Sequence, residues 1–433
     1  APDEPLHFYR SYKFSNDLMG IKSDNPNQIL MRKEDKRLLN STYFAAKDKR
    51  PLLTRDNYVS EMSKLFKGSS SEEKSLITCK NISKNSYPIS YIPSILGITI
   101  ARILGMSSVG LIMLSRLFML LIYSVLTSLA IRYIPFGKLT LGFVALLPIS
   151  LQQGMAISYD GILNSLSFLL IGYILYLAYK KDVVTNRDIG IVGLLTLLIA
   201  PIKIVYVVIG LLFLLIPSDK FQGKKVSGKK KKHLIILVVM ILGCLFIGVF
   251  SFARVSKAFV GKPGYYSLRE FFVSPGSFGS LIKIFFKTFV RFPSYIESAL
   301  GANLGWKEVG VKFPMLVGFV LLIFISALYE KGQEKFNLGL LKINTLFISV
   351  LLYTGCVLGA LSWTLRSSGV IEGIQGRYFI PIMPILFLLF RNKSIVKEKN
   401  IDEVLIYSFA YVQMVSIAWV VTSCLFPGMM GVN

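Results

Sequence analysis

From Pro88 onward the chain is a succession of apolar runs, several near the roughly 20 residues that an α-helix needs to cross a bilayer. Within hydrocarbon every backbone N–H and C=O must find a partner inside the protein. Helices and closed barrels are the only two ways to achieve that. The expected fold is therefore an all-α membrane protein. Composition agrees, with 53% hydrophobic residues, 17% charged residues and a mean hydropathy of +0.58. A soluble chain of 433 residues would instead divide into two or three domains with polar surfaces.

Ten spans are expected, at residues 108–133, 139–157, 161–179, 189–200, 204–216, 233–253, 313–329, 340–363, 377–390 and 403–426. The fourth and fifth are too short to cross alone at about 1.5 Å per residue. They flank Pro201-Ile202-Lys203 and read as a hairpin of two short helices meeting at a break. Broken helices at membrane depth survive only against protein or a water-filled cavity. A cavity is expected there.

The formal net charge of +25 would suggest nucleic acid on a soluble protein. On a membrane chain it first sets orientation, because cytoplasmic loops are enriched in Lys and Arg. Basic loops occur at residues 180–187, 220–232, 330–342 and 391–399. All four fall on one side if the ten spans alternate from an outside start. Residues 1–87, the Ser158–Asp160 turn, Lys203, the 254–312 loop, residues 366–375 and the C-terminus then share the outer face. Residues 86–105 are apolar enough to be a further span, but counting them breaks this agreement. They are read as a helix lying in the outer interface. The organisation that follows is an outer first loop with juxtamembrane helices (1–107) and an N-terminal transmembrane module (108–253). An outer loop with amphipathic helices (254–312) and a C-terminal transmembrane module (313–433) complete it. The chain starts at Ala1 in a polar segment, which reads as a precursor with one further helix upstream.

Four isolated cysteines, one in the polar N-terminal region and three in apolar runs, make no disulfide framework and no CxxC site. With only His7 and His233, a His-rich transition-metal site is excluded. The chemistry must rest on carboxylates and cations. Pro2-Asp3-Glu4-Pro5-Leu6-His7-Phe8 places two carboxylates and an imidazole in a segment held by two prolines. They read either as a general base or hard-cation ligand pair, or as a solvated acidic turn. Asp160, in Ser158-Tyr159-Asp160-Gly161, is the only carboxylate between Pro88 and Lys181. It is either a helix N-cap or a group held at the mouth of the bundle. Lys203 at bilayer depth costs about 2.5–3.5 kcal/mol on insertion scales, so it needs an anionic partner or water, or it snorkels from a helix end. Arg377, in Gln375-Gly376-Arg377-Tyr378-Phe379-Ile380-Pro381, offers a fork suited to phosphate or an interfacial anchor. Arg116 is expected to pack against the first loop.

Those motifs, together with Tyr87-Pro88-Ile89-Ser90-Tyr91-Ile92-Pro93, resemble a widespread bacterial membrane family of unknown function within the GT-C glycosyltransferase superfamily. The resemblance implies a GT-C-like bundle whose first helix precedes a large outer loop carrying a catalytic acid. It implies transfer of a sugar from a polyprenyl-phosphate-linked donor to a cell-envelope acceptor, outside the bacterial plasma membrane. By carry-over Asp3 is the base, with Glu4 beside it, or Asp3 and Asp160 share a divalent cation such as Mg or Mn. Lys203 and Arg377 hold the carrier phosphate, and His7, Tyr159, Gln375 and Tyr378 complete the substrate site. Relatives often carry two acids where this chain has Asp160 alone. A flippase or transporter of a lipid-linked glycan would share the cavity and the cations without needing the acceptor-side carboxylate. A scaffold subunit would need neither Asp3 nor Lys203.

Overall fold

A computed structural model describes residues 3–39, 55–65, 70–81, 87–221, 264–267, 269, 277–305, 309–330, 338–361, 363–392, 394–397 and 401–426. The expected 233–253 span and most of the lysine-rich loop before it lie outside the described residues, as does Pro2.

The outer first segment begins with α1 (Glu4–Leu18), then strand β1 (Gln28–Arg32) and α2 (Lys33–Leu39). Helices α3 (Arg55–Met62) and α4 (Ser71–Lys74) precede β2 (Leu76–Lys80), which pairs antiparallel with β1 from Gln28↔Lys80 to Arg32↔Leu76. Phe8, Tyr12, Ile29, Met31 and Leu38 form a small core here with Ile98, Leu111 and Ile157. At its edge the buried Arg32 bonds Asp35 at 2.7 and 3.0 Å, and Asp35 accepts the Tyr12 hydroxyl at 2.8 Å. A buried guanidinium and carboxylate satisfy one another in this way, and the Tyr12 phenol, pushed up by burial and Asp35, remains the donor.

A 3₁₀ turn at Pro88–Tyr91 leads into α5 (Ile92–Ile103). Twelve residues rise only about 18 Å, too little to cross the hydrocarbon. Ser94, Ile95, Ile98 and Ala101 face α1 and the next helix, while Ile92, Leu96, Ile100 and Ile103 are exposed. That outward apolar stripe suits a helix resting against lipid.

Among the described residues four helices are long and apolar enough to span a membrane: α6 (Ser108–Tyr133), α9 (Asp160–Tyr179), α14 (Gly339–Leu361) and α16 (Ile401–Leu425). Between the first two lie α7 (Lys138–Leu146) and α8 (Pro148–Met155). After α9 come α10 (Asn186–Ile199), a 3₁₀ run at Ile204–Leu215, α11 (Ser277–Phe289), α12 (Phe292–Leu300) and α13 (Phe313–Ala327). A second 3₁₀ stretch at Gly376–Ile382 runs into α15 (Met383–Leu388) before α16.

Helix α9 is apolar on every side, and 89% of its hydrophobic window is buried, so it is the axis of the bundle. The windows of α6 and α16 are 39% and 22% buried, and present rows such as Leu117, Leu121 and Val125 outward. Residues from Met119 to Phe221 and from Ile284 to Phe409 share one hydrophobic core.

Three expected spans take a different form. Residues 139–157 are two helices, because Pro148 drives the preceding Leu147 out of the helical region, to φ −54° and ψ 146°. Of residues 204–216, Ile204–Leu215 adopt 3₁₀ geometry and Ile216 is extended. Residues 377–390 are split between 3₁₀ and α, with Pro381 inside the first part and Pro384 opening the second.

Candidate functional site

Helix α9 starts at Asp160, so this carboxylate sits in the first turn, where the helix dipole favours negative charge. It is not the side-chain N-cap that the sequence also allowed. Tyr159 holds the cap position without a side-chain bond, and the Asp160 N–H donates to Ser158 Oγ at 3.3 Å. The tight approach of α8 explains the residue that follows: a Cβ on Gly161 would lie 2.6 Å from the Gln153 carbonyl oxygen.

Two cations reach Asp160 from distant parts of the chain. Lys203 Nζ donates to Oδ1 at 3.4 Å, and Arg377 Nη1 lies 3.5 Å from Oδ2. Lys203 stands at the break between α10 and the first 3₁₀ run, in extended conformation, which ends one helical segment and starts the next. Arg377 opens the second 3₁₀ stretch. Its position is set by Gly376, whose hydrogens face α12 so closely that a Cβ would lie 2.1 Å from the Tyr295 carbonyl oxygen. The Lys203 ammonium lies 4.1 Å from the Tyr378 ring centre and 5.3 Å from that of Tyr159, so two aromatic faces partly replace its water. Tyr206 donates to the Tyr378 carbonyl oxygen at 2.8 Å and fixes that wall. Two cations against one carboxylate leave a surplus positive charge in this cluster.

The amino-terminal end of α1 docks beside it. Both Glu4 oxygens are taken: Arg116 donates from Nε and Nη2 at 3.1 and 3.0 Å, and the Ile157 N–H donates at 3.1 Å. Burial opposes ionisation of this carboxyl, but the surrounding positive charge, Arg116 foremost, holds it below the usual range. Arg116 thus binds the first loop, as expected. The His7 ring meets Tyr159 edge-on at 4.8 Å. Its Nδ1 lies 2.7 Å from the Tyr91 hydroxyl and 3.3 Å from Arg10 Nη1. Arginine only donates, so Nδ1 is an acceptor and the ring proton belongs on Nε2. Burial lowers the His7 pKa to about 4, against the opposing pull of Asp160, so the ring is neutral at pH 7. Asp3 precedes α1 in the left-handed region, at φ 63°, exposed, and its carboxylate has no ion pair or hydrogen bond among the described residues.

A cavity of about 380 Å³ adjoins the cluster. Gln375 and Arg377 line it, together with Gln152, Gln153, Arg291 and Asn303. Pro201, Ile202 and Lys203 are not part of the lining, so this is not the cavity expected at the break, and Lys203 and Arg377 do not share it. Asp160, Lys203, Arg377, Tyr159, Tyr378 and His7 are brought together, with Glu4 anchoring the helix that carries His7. Gln375 sits at the cavity, and Asp3 at the exposed end of α1. Residues without an individual signal in sequence are Tyr91, Arg10, Gln153 and Arg291. Tyr91 lies inside a motif, and Arg10 is one helical turn after His7.

The donor set does not suit a divalent cation. Asp160 already faces two positive side chains, and no group of three His, Cys, Asp or Glu that would hold a metal occurs among the described residues.

A family described as a predicted membrane protein (DUF2142) matches residues 1–386. The chain belongs to this family. No curated protein and no solved structure matches it. With four candidate spans and this membership, the chain is a membrane protein whose bundle sits in a lipid bilayer. The DUF2142 match runs through every motif of the cluster, from Asp3 to Tyr378.

Proposed function

We propose that this DUF2142 chain is a GT-C-type glycosyltransferase, moving a sugar from a polyprenyl-phosphate donor to an envelope acceptor on the outer side of the plasma membrane. The observation that carries this reading is the surplus positive charge where Lys203 and Arg377 converge on Asp160. A positive charge kept at that depth is costly unless an anion joins it. A lipid phosphate is an anion whose tail remains in the bilayer.

In this reading Lys203 and Arg377 hold the phosphate, and Asp160 keeps the pair together before the donor arrives. The acceptor hydroxyl oxygen bonds the anomeric carbon as the bond from that carbon to the phosphate oxygen breaks. The electron pair leaves with the polyprenyl phosphate, and Asp3 takes the hydroxyl proton. Fixed cations stabilise the charge that grows on the leaving group, and the base acts from the other face of the ring. Asp3 suits the base role because its carboxylate is exposed and makes no ion pair or hydrogen bond among the described residues. Glu4 is given a positioning role, since both its oxygens are occupied. His7 Nε2–H is a donor at the wall shared with Tyr159.

The test is glycan transfer in proteoliposomes with a polyprenyl-phosphate sugar donor. Asp3→Asn keeps the shape and removes the basic lone pair, so transfer should fall by at least about 100-fold with donor binding intact. Full transfer by this variant removes the base assignment. Donor movement across the membrane without transfer, in the unmodified protein, would favour a flippase.

A further inference from the structure

Apart from Arg377, the lining of this cavity is not used by the phosphate chemistry, and it is specific. At about 380 Å³ it has room for one sugar-sized ligand. Gln152 and Gln153 come from α8, Asn303 from the turn after α12, and Gln375 from the segment before Arg377. These amides are neutral groups that both donate and accept.

Gln153 is the sharpest of these residues. It is 1% exposed, and its Oε1 accepts from Asn164 Nδ2 at 2.9 Å, which fixes the two ends of the amide. Its Nε2 then has no hydrogen-bond partner. A buried N–H without an acceptor costs about 1–3 kcal/mol. Such a donor in an amide-rich wall matches a ligand rich in oxygen acceptors, and the neutrality of most of that wall matches hydroxyls.

We infer that this cavity binds the sugar ring of the lipid-linked donor, with Gln153 and Asn303 hydrogen-bonded to ring hydroxyls. The inference rests on the phosphate reading of Lys203 and Arg377, because Arg377 belongs to both the cluster and the cavity wall.

The experiment measures binding of undecaprenyl phosphate, and of its glucosyl, galactosyl and mannosyl conjugates, to the full chain in nanodiscs. At least one conjugate should bind about 10-fold tighter than the bare carrier, the worth of one or two hydrogen bonds. Two variants then locate the gain. Gln153→Met/Asn164→Leu removes the donor together with its partner, so no buried polar group is orphaned. Asn303→Ala trims the half-buried rim and decides the matter if the double variant does not fold. Each should erase most of the sugar-dependent gain and leave bare-carrier affinity within about twofold. Conjugates that bind no tighter than the bare carrier would overturn the inference, as would equal weakening of both ligands by Asn303→Ala. Failure of the bare carrier itself to bind the unmodified chain would instead defeat the phosphate reading beneath it.

Discussion

At the scale of single residues, the sequence named the charged groups but not how they divide their work. Asp3 and Glu4 are neighbours with similar side chains, yet one is exposed and the other is 3% exposed and bonded at both oxygens. That difference depends on Arg116, 112 positions away, which no local pattern reveals. Glu4→Gln should therefore destabilise the docking of α1, by about 3 kcal/mol for breaking a buried ion pair. Thermal melting and limited proteolysis of the first 39 residues would show it, and Glu4→Gln/Arg116→Leu should recover part of the loss. Wild-type melting for Glu4→Gln would contradict the anchoring role. His7 gives a second prediction. Its pKa is about 4 in the fold against 6.5 ordinarily, so between those values the unfolded chain takes up a proton that the folded chain does not. Its contribution is intact above pH 6.5 and is lost as pH falls toward 4, at a total of about 3 kcal/mol. Glu4, lowered from 4.5 to about 2, begins to act only at the acid edge of that window, below pH 4.5. His7→Gln should flatten the melting temperature between pH 6.5 and 4, and an unchanged slope would assign it to another group.

At the scale of elements, long apolar periods were legible and proline-broken ones were not. The 108–133 reading coincides with α6, and 161–179 differs from α9 by a single residue. The errors fell at Pro148, Pro381 and Pro384, and in the proline-free 3₁₀ run Ile204–Leu215, where total apolarity hides a change of backbone geometry. Glycines in the motifs had no stated role in sequence, since close approach is visible only in three dimensions. Gly376 abuts α12 and Gly161 abuts α8, with virtual Cβ contacts of 2.1 and 2.6 Å to backbone oxygens. Backbone cannot swing aside as a side chain does, so Gly376→Ala must displace the segment carrying Arg377. We expect a loss of about 1–3 kcal/mol of stability and weaker binding of polyprenyl phosphate. Gly190→Ala, which meets nothing within 4 Å, should change neither.

At the scale of the whole molecule, the segments that loop charge assigns to each face can be located in the fold. The segments assigned to one face are close together: Glu4 bonds the Ile157 N–H, His7 meets Tyr159, and Asp160 meets Lys203 and Arg377. At the other end of α9, Lys220 donates to the Lys181 carbonyl oxygen, and Arg391 lies over Phe136, which contacts Tyr179. The basic loops described there thus gather at the opposite end. Cysteines at Ser70 and Arg187, in a background lacking Cys79, Cys244, Cys356 and Cys424, should label from opposite sides of the membrane with an impermeant thiol reagent. Labelling from one side would reject the arrangement. What the sequence could not disclose is that Asp160 is the group on which the cations meet, because their convergence joins residues 217 positions apart. Their surplus charge is the centre of the functional account, and polyprenyl phosphate binding tests it most directly. The unmodified chain in nanodiscs should bind bare undecaprenyl phosphate, and Lys203→Gln and Arg377→Gln should each weaken it by about 10- to 100-fold, the worth of one charged hydrogen bond. Unchanged affinity in both variants, with the fold intact, would contradict the account.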